Sequence, residues 1–194
     1  MGISNKDRSV NFQKKTESDD MVNIPASSFK TNQSIGMNIY KGDLLLHFAD
    51  YSRPVVSAIA HVCNCQGVMG SGLALAIKTR YPEAYAAYKN DELKYIGGLP
   101  LGTMSFAEIR PGKHIYNLHA QDFYGKDGRR YLNYEALYVS LERVCKHMNT
   151  AGLETLGVPF CMGSGLAGGN WNIVQAMVIA VCKEYGIEVI GVSL

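Results

Sequence analysis

The sequence has no basic stripe, no long apolar run and no cysteine pair at metal spacing, and each absence removes a class of function. Charged residues make up 19% and the formal net charge is +2. Nucleic-acid binders gather Lys and Arg on one face, so free DNA or RNA is not the expected partner. No stretch approaches the roughly 18 apolar residues that span a bilayer, and the opening MGISNKDRSVNFQKK lacks the apolar centre of a signal peptide. No membrane partner is therefore expected, and the location expected is cytoplasmic. The five cysteines, Cys63, Cys65, Cys145, Cys161 and Cys182, contain no CxxC and no Cys/His pair at zinc spacing. They read as reduced, mostly buried thiols, and neither a metal nor a cofactor is expected.

What is present fits one domain preceded by an arm. Residues 1–36 are rich in Asn, Ser, Lys and Asp, lack Tyr, Trp and Cys, and show no sustained periodicity, as a flexible segment does. From Met37 onward, short apolar or β-branched runs alternate with helical patterns. Strands are expected at Asn38–Lys41, Val55–Val62, Thr103–Ile109, His114–His119, Thr155–Phe160 and Glu188–Val192. Leu73–Lys94 reads as two helices broken near Tyr81-Pro82, because proline lacks a donor and constrains the residue before it. Tyr134–Thr150 carries Leu137, Leu141, Val144, Cys145 and Met148 on one face, with Asn133 placed to cap its start and Gly152 to end it. Asn172–Tyr185 is apolar nearly all round, which predicts a buried helix. This alternation points to a layered α/β domain with ligands near the carboxyl ends of the strands.

Two glycine-rich stretches stand where strands turn into helices. NCQGVMGSGLALAIK (64–78) and VPFCMGSGLAGGNW (158–171) each follow an apolar strand and precede a helix. Glycine is entropically expensive, so such clusters mark positive φ or close approach to the backbone. A helix start adds unpaired N–H groups and partial positive charge, which suit phosphate. A tight turn without a ligand accounts for one such loop equally well; a facing pair favours a grip on a diphosphate. A dinucleotide fingerprint fails, because Leu75 stands at the third glycine position, and no Gly-Lys-Ser/Thr supports a P-loop.

Four stretches resemble the macrodomains that bind ADP-ribose: YKGDLLLH, read as lying on the first strand, HVCNCQGVMGSGLA as the first loop, LNYEAL before the long helix and VPFCMGSGLAGGNW as the second loop. In order and spacing they cover Met37–Leu194. The run from His61 to Gly72, followed by Arg80-Tyr81-Pro82, is similar to the branch holding the fungal-type ADP-ribose 1''-phosphate phosphatases and their phage and bacterial relatives. The resemblance implies an α/β fold, a three-layer α/β/α sandwich around a central mixed sheet. It also implies ADP-ribose or ADP-ribose 1''-phosphate as the ligand, with nucleic acid entering only as an ADP-ribosylated conjugate.

Roles follow by the same resemblance. Asp43 would accept from the adenine amino group, with the Leu44 N–H beside it. Gly70, Ser71 and Gly72 would line the distal ribose and its phosphate. Gly163, Ser164, Gly165, Leu166 and Ala167 would form the second phosphate loop, with Ser164 and Gly165 donating N–H groups. Asn64 would orient the terminal ribose and His61 would act as general acid or base, although a histidine inside a strand end also reads as a satisfied core residue. His119 is a weaker candidate of the same kind. Asp122 opens a loop whose Phe123 and Tyr124 cover the sugar or join the core, with Lys126, Arg129 and Arg130 as a solvated rim. Protein glycohydrolases of the branch carry a lysine and an aspartate where Gln121 and Ala167 stand, so their covalent mechanism is not expected. The function expected is hydrolysis of the terminal phosphate of ADP-ribose 1''-phosphate, with an ADP-ribose reader or a hydrolase of ADP-ribose conjugates as alternatives.

Overall fold

A computed structural model describes residues 36–49 and 56–193. The arm expected over residues 1–36 lies outside them save for Gly36, as does Val55 at the start of the second expected strand. Six strands form the sheet: β1 (Asn38–Lys41), β2 (Ala58–Asn64), β3 (Met104–Arg110), β4 (Lys113–Gln121), β5 (Thr155–Pro159) and β6 (Glu188–Ser193). The helices are α1 (Leu44–Ala49), α2 (Gly72–Arg80), α3 (Pro82–Glu92), α4 (Tyr134–Thr150) and α5 (Trp171–Glu184). The spatial order is β1-β6-β5-β2-β4-β3. Every neighbouring pair is parallel except β3 with β4, so the sheet is mixed.

Side chains alternate across the pleat and divide the core in two. Ala58, Ala60, Tyr116, Leu118, Leu156 and Val158 face α4 and α5, meeting Leu137, Leu141, Val144, Met148, Val174 and Val178. Ile59, Ile115, Ile190 and Val192 face the other way, toward Leu44, Leu45 and Phe48 of α1 and Ile77 of α2. The result is the expected three-layer α/β/α sandwich. β4 is buried along nearly its whole length, as a strand covered on both faces must be.

Local chemistry sets the helix ends. Asn133 Oδ1 accepts from the Ala136 N–H at 2.9 Å, capping α4 as expected. Pro82 occupies the first turn of α3, where its missing N–H removes no hydrogen bond, and α2 ends just before it.

Two sequence expectations differ from the structure. Helix α5 is not buried all round: Val174, Val178, Val181 and Cys182 make one stripe, while Ile173 is 46% exposed. An outer-layer helix needs only one apolar face, whatever its composition. The Leu44-Leu45-Leu46 run does not continue the first strand. Gly42 turns the chain at φ +145°, and the Asp43 carboxylate accepts the Leu45 N–H at 2.8 Å, starting α1.

Asn133→Ala should lower stability by about 1 kcal/mol with Asn133→Ser near neutral, whereas Leu141→Ala in the α4 stripe should cost about 2–5 kcal/mol. Urea denaturation of the three variants checks this ranking.

Candidate active site

Strands β2 and β5 are parallel neighbours, so both their carboxyl ends, and the glycine-rich loops that leave them, open on the same edge of the sheet. Between the loops lies a cleft of about 590 Å³. His61, Asn64, Gly70, Ser71, Gly72, Gly163, Gly165, Leu166 and Ala167 border it, together with Gln121, Tyr124, Lys126, Phe160 and Cys161. No Asp or Glu is among the residues that border the cleft. Main-chain N–H groups of both loops and the side chains of Ser71 and Lys126 offer donors there, a setting that suits an anion.

The first loop is built around Asn64. Its Oδ1 accepts from the N–H groups of Gln66 at 2.9 Å and Val68 at 3.2 Å, and its Nδ2 donates to the Val68 carbonyl at 2.6 Å. The carboxamide expected to orient a ligand thus holds its own loop, keeping one Nδ2 hydrogen. Beyond it, Ser71 caps α2 through extended backbone but makes no side-chain cap bond. The first N–H groups of α2 therefore have no acceptor among the described residues.

The second loop closes on itself in a different way. Ser164 N–H donates to Cys161 O at 2.9 Å and the Ser164 hydroxyl to Met162 O at 3.3 Å. Ser164 does not border the cleft, which corrects its expected role as a donor: an N–H already engaged within the loop is not offered to a ligand. Among the described residues, the N–H groups of Gly163, Gly165 and Leu166 have no protein acceptor. Gly165 has ordinary φ, and a Cβ built on it would meet nothing within 4 Å. The protein's own packing does not demand glycine there, so the space is kept for the cleft. Cys161 holds a left-handed φ of +61° in the same loop, a conformation that costs a non-glycine residue roughly 1–2 kcal/mol and that collects at functional sites. Ala167 borders the cleft, but its carbonyl accepts from Tyr131 and Leu132 at 2.9 and 3.0 Å and its methyl joins the core.

His61 is placed differently from an acid or base poised over a substrate. It is 2% exposed, and its Nε2 lies 2.8 Å from Asn117 Oδ1. Asn117 Nδ2 donates onward to Ser105 and to Ala84 O, and His119 contacts Ser105 and Thr103, so the two histidines belong to one buried network. Burial pushes His61 from its ordinary 6.5 down to about 4, against the opposing hydrogen bond to Asn117. His119 is likewise lowered to about 4, mainly by burial. Burial favours the neutral form of both rings, and the bond to Asn117 engages Nε2, so His61 sits here as a member of the network and not as the free acid or base expected of it.

Asp43 and Leu44 do not border the cleft. They follow β1, two strands beyond β5 on the same sheet edge, roughly 10 Å away at the usual strand spacing. Hydrogen bonds link the edge: Gly42 N–H donates to Ser193 O at 2.7 Å, and Phe160 N–H to Val192 O at 2.8 Å. The structure adds Val68, Phe160 and Cys161 to the site. All three lie within the glycine-rich motifs, so loop membership was the signal available. Phe123 and Tyr124 stack on each other at 5.3 Å, both exposed, at the cleft's rim. Arg129 is engaged by Asp127 at 2.6 Å. No group of three His, Cys, Asp or Glu among the described residues could hold a metal ion, and no described helix is long and apolar enough to cross a membrane.

A mixed three-layer sandwich with a main-chain-lined cleft between two glycine loops defines a nucleotide-binding class of α/β domain. Residues 60–178 match the Macro domain family, and the chain belongs to it. It is 30% identical over 139 residues to a protein of Mycobacterium tuberculosis named DNA ADP-ribosyl glycohydrolase, a match covering 70% of this chain and 37% of that protein. It is 34% identical over 100 residues to the ADP-ribose 1''-phosphate phosphatase of Debaryomyces hansenii, covering 44% of this chain and 54% of that one. The matches thus span little more than a third and about half of these relatives' lengths. A macrodomain protein from Streptomyces coelicolor superposes with a TM-score of 0.65 at 28% identity, over 81% of this chain and 98% of that one.

The buried histidines generate a pH prediction. The unfolded chain takes up their protons below about 6.5 while the native state resists until about 4, so stability is intact above that window and falls as pH drops through it. One such histidine contributes on the order of 3 kcal/mol across the whole window. His61→Gln should flatten the decline between pH 7 and pH 4.5 in urea titrations; parallel curves for the two proteins would contradict the assignment.

Proposed function

We propose that this macrodomain binds ADP-ribose across its two glycine loops and hydrolyses the terminal phosphate of ADP-ribose 1''-phosphate. The observation that carries the reading is the cleft itself: N–H groups without protein acceptors at Gly163, Gly165, Leu166 and the start of α2, room kept above Gly165, and no bordering carboxylate to repel phosphates. The phosphatase named among the relatives supports the reading.

The chemistry then rests on electrostatic stabilisation by the main chain. Water adds to the terminal phosphorus and the bond from phosphorus to the 1'' oxygen breaks. One proton of the water passes to a phosphate oxygen and the freed 1'' oxygen takes up a proton. With His61 buried and its Nε2 engaged by Asn117, a substrate phosphate oxygen serves as the base. The remaining Asn64 Nδ2 hydrogen and the Ser71 hydroxyl orient the distal ribose. Asp43 keeps its free carboxylate oxygen for the adenine amino group while the other caps α1.

A second reading, binding without turnover, is favoured by the absence of a carboxylate at the cleft and by the engagement of His61 in the buried network. Calorimetric titration with ADP-ribose, followed by phosphate release from ADP-ribose 1''-phosphate, separates the two. Release of free ADP-ribose from conjugated DNA, the activity named for the mycobacterial relative, would instead indicate a conjugate hydrolase. No binding at all would overturn the cleft assignment.

Gly165→Ala should keep or slightly raise the thermal midpoint, since alanine restricts the unfolded chain, yet weaken ADP-ribose binding by about tenfold, or ~1.4 kcal/mol. Asp43→Asn, which retains an acceptor for the α1 cap, should lower ADP-ribose affinity by a similar factor and leave ribose 5-phosphate binding unchanged. Unaltered ADP-ribose affinity in Asp43→Asn would refute the adenine pose.

A further inference from the structure

We infer that Tyr88 is a positioning residue for the cleft: from the far side of the first loop its hydroxyl holds Asn64, and through the Asn64 carboxamide Val68, in the shape that receives the ligand, without touching the ligand itself. This rests on the ADP-ribose reading above.

Tyr88 projects from α3 and is fully buried, packed among Cys63, Cys65, Met69 and Leu99. Its hydroxyl donates to the Asn64 carbonyl at 2.5 Å and lies 3.0 Å from Asn64 Oδ1. One hydroxyl thus addresses both the carbonyl and the carboxamide of Asn64, whose Oδ1 in turn takes the N–H groups of Gln66 and Val68. Asn64 and Val68 border the cleft and Tyr88 does not. Burial holds the phenol far above its ordinary pKa, so it stays a donor at any working pH.

Other rear supports reach different parts of the loop. Leu99 N–H donates to Cys65 O at 2.9 Å, a Cβ on Gly98 would lie 2.6 Å from that oxygen, and the Glu92 carboxylate packs against Gly67. Among these supports Tyr88 alone bonds to a residue that borders the cleft, Asn64. The loop it shapes leads within three residues to Ser71 and the open start of α2. A buried carbonyl left without a donor is costly, so removing the hydroxyl while keeping the ring makes the turn relax into other conformations.

The test compares wild type, Tyr88→Phe and Tyr88→Leu. Tyr88→Phe keeps the ring and should retain the thermal midpoint within a few degrees, while the Kd for ADP-ribose rises about tenfold. In turnover of ADP-ribose 1''-phosphate, KM should rise with kcat nearly unchanged, because the bound ligand restores the loop. Tyr88→Leu removes packing as well and should lower the midpoint further. In ligand-free protein, hydrogen exchange of the Gly67–Gly70 amides should quicken at least tenfold in Tyr88→Phe, with the α4 amides unmoved. Unchanged Kd and unchanged loop exchange in Tyr88→Phe would overturn the inference, as would a fallen midpoint with ligand affinity intact. Because the exchange readout needs no ligand, a wild type that failed to bind ADP-ribose would sink the site's assignment and still leave the role of Tyr88 decided by exchange.

Discussion

The parallel pairing of β2 with β5 is the constraint on which the cleft depends. The two strands lie about a hundred residues apart in the chain, yet Ala58 stands opposite Leu156 and Ile59 opposite Gly157. Parallel neighbours end on the same edge, so whatever follows them must meet there. Gly157 permits the close approach of layers behind this contact: a Cβ on it would lie 2.7 Å from Val56 and 2.9 Å from Leu44. The same contact ties α1, which carries the Asp43 cap, to the centre of the sheet. Displacing one strand would therefore part the loops and move the α1 end of the edge together.

The cleft and the polar interior behind it have opposite electrostatic designs. At the cleft, N–H groups stay unpaired by protein and no carboxylate intrudes. Behind it, His61, Asn117, Ser105, His119 and Thr103 satisfy one another in a closed network, and burial keeps both imidazoles neutral. A charged imidazole immediately behind the loop would have to be desolvated, which burial makes unfavourable for both rings. The network fixes β2 against β4 and β3, and so steadies the strand from which the first loop departs. This places the histidines in the architecture of the site and leaves its chemistry to main chain and ligand.

Much of this architecture was legible in the residues. Six strand patterns, the Tyr81-Pro82 break and the Asn133 cap all rest on rules that act within a few residues, and they hold. The short helix α1 was missed because three leucines after a strand read as more strand; the Gly42-Asp43 pair that turns and caps the chain was the available signal. The exposure of Ile173 was missed because composition reports how apolar a helix is and not which layer it joins. At the site, glycine spacing and family motifs found the two loops. They could not show that Ser164 bonds within its own loop, that Asn64 is engaged by Val68, or that Asn117 meets His61, since those partnerships depend on loop closure and on strand register. Tyr88 carries no sequence signal for its role, because an apolar helix face and a loop-holding hydroxyl look alike until the loop is in place.

A receptor site composed mostly of peptide groups has a particular tolerance to sequence drift. Every residue type but proline presents the same N–H, so side chains around such a site can be exchanged while the donors stay where the strands put them. Only additions that fill the open space, as at Gly165, or that unsettle the main chain from beneath, reach the site directly. The macrodomain from Streptomyces coelicolor keeps this fold at 28% identity, the kind of divergence that such a division of labour permits. Selectivity among ligands is then free to change at the rim, where Tyr124 and Lys126 border the cleft from outside the strands, without rebuilding the cradle.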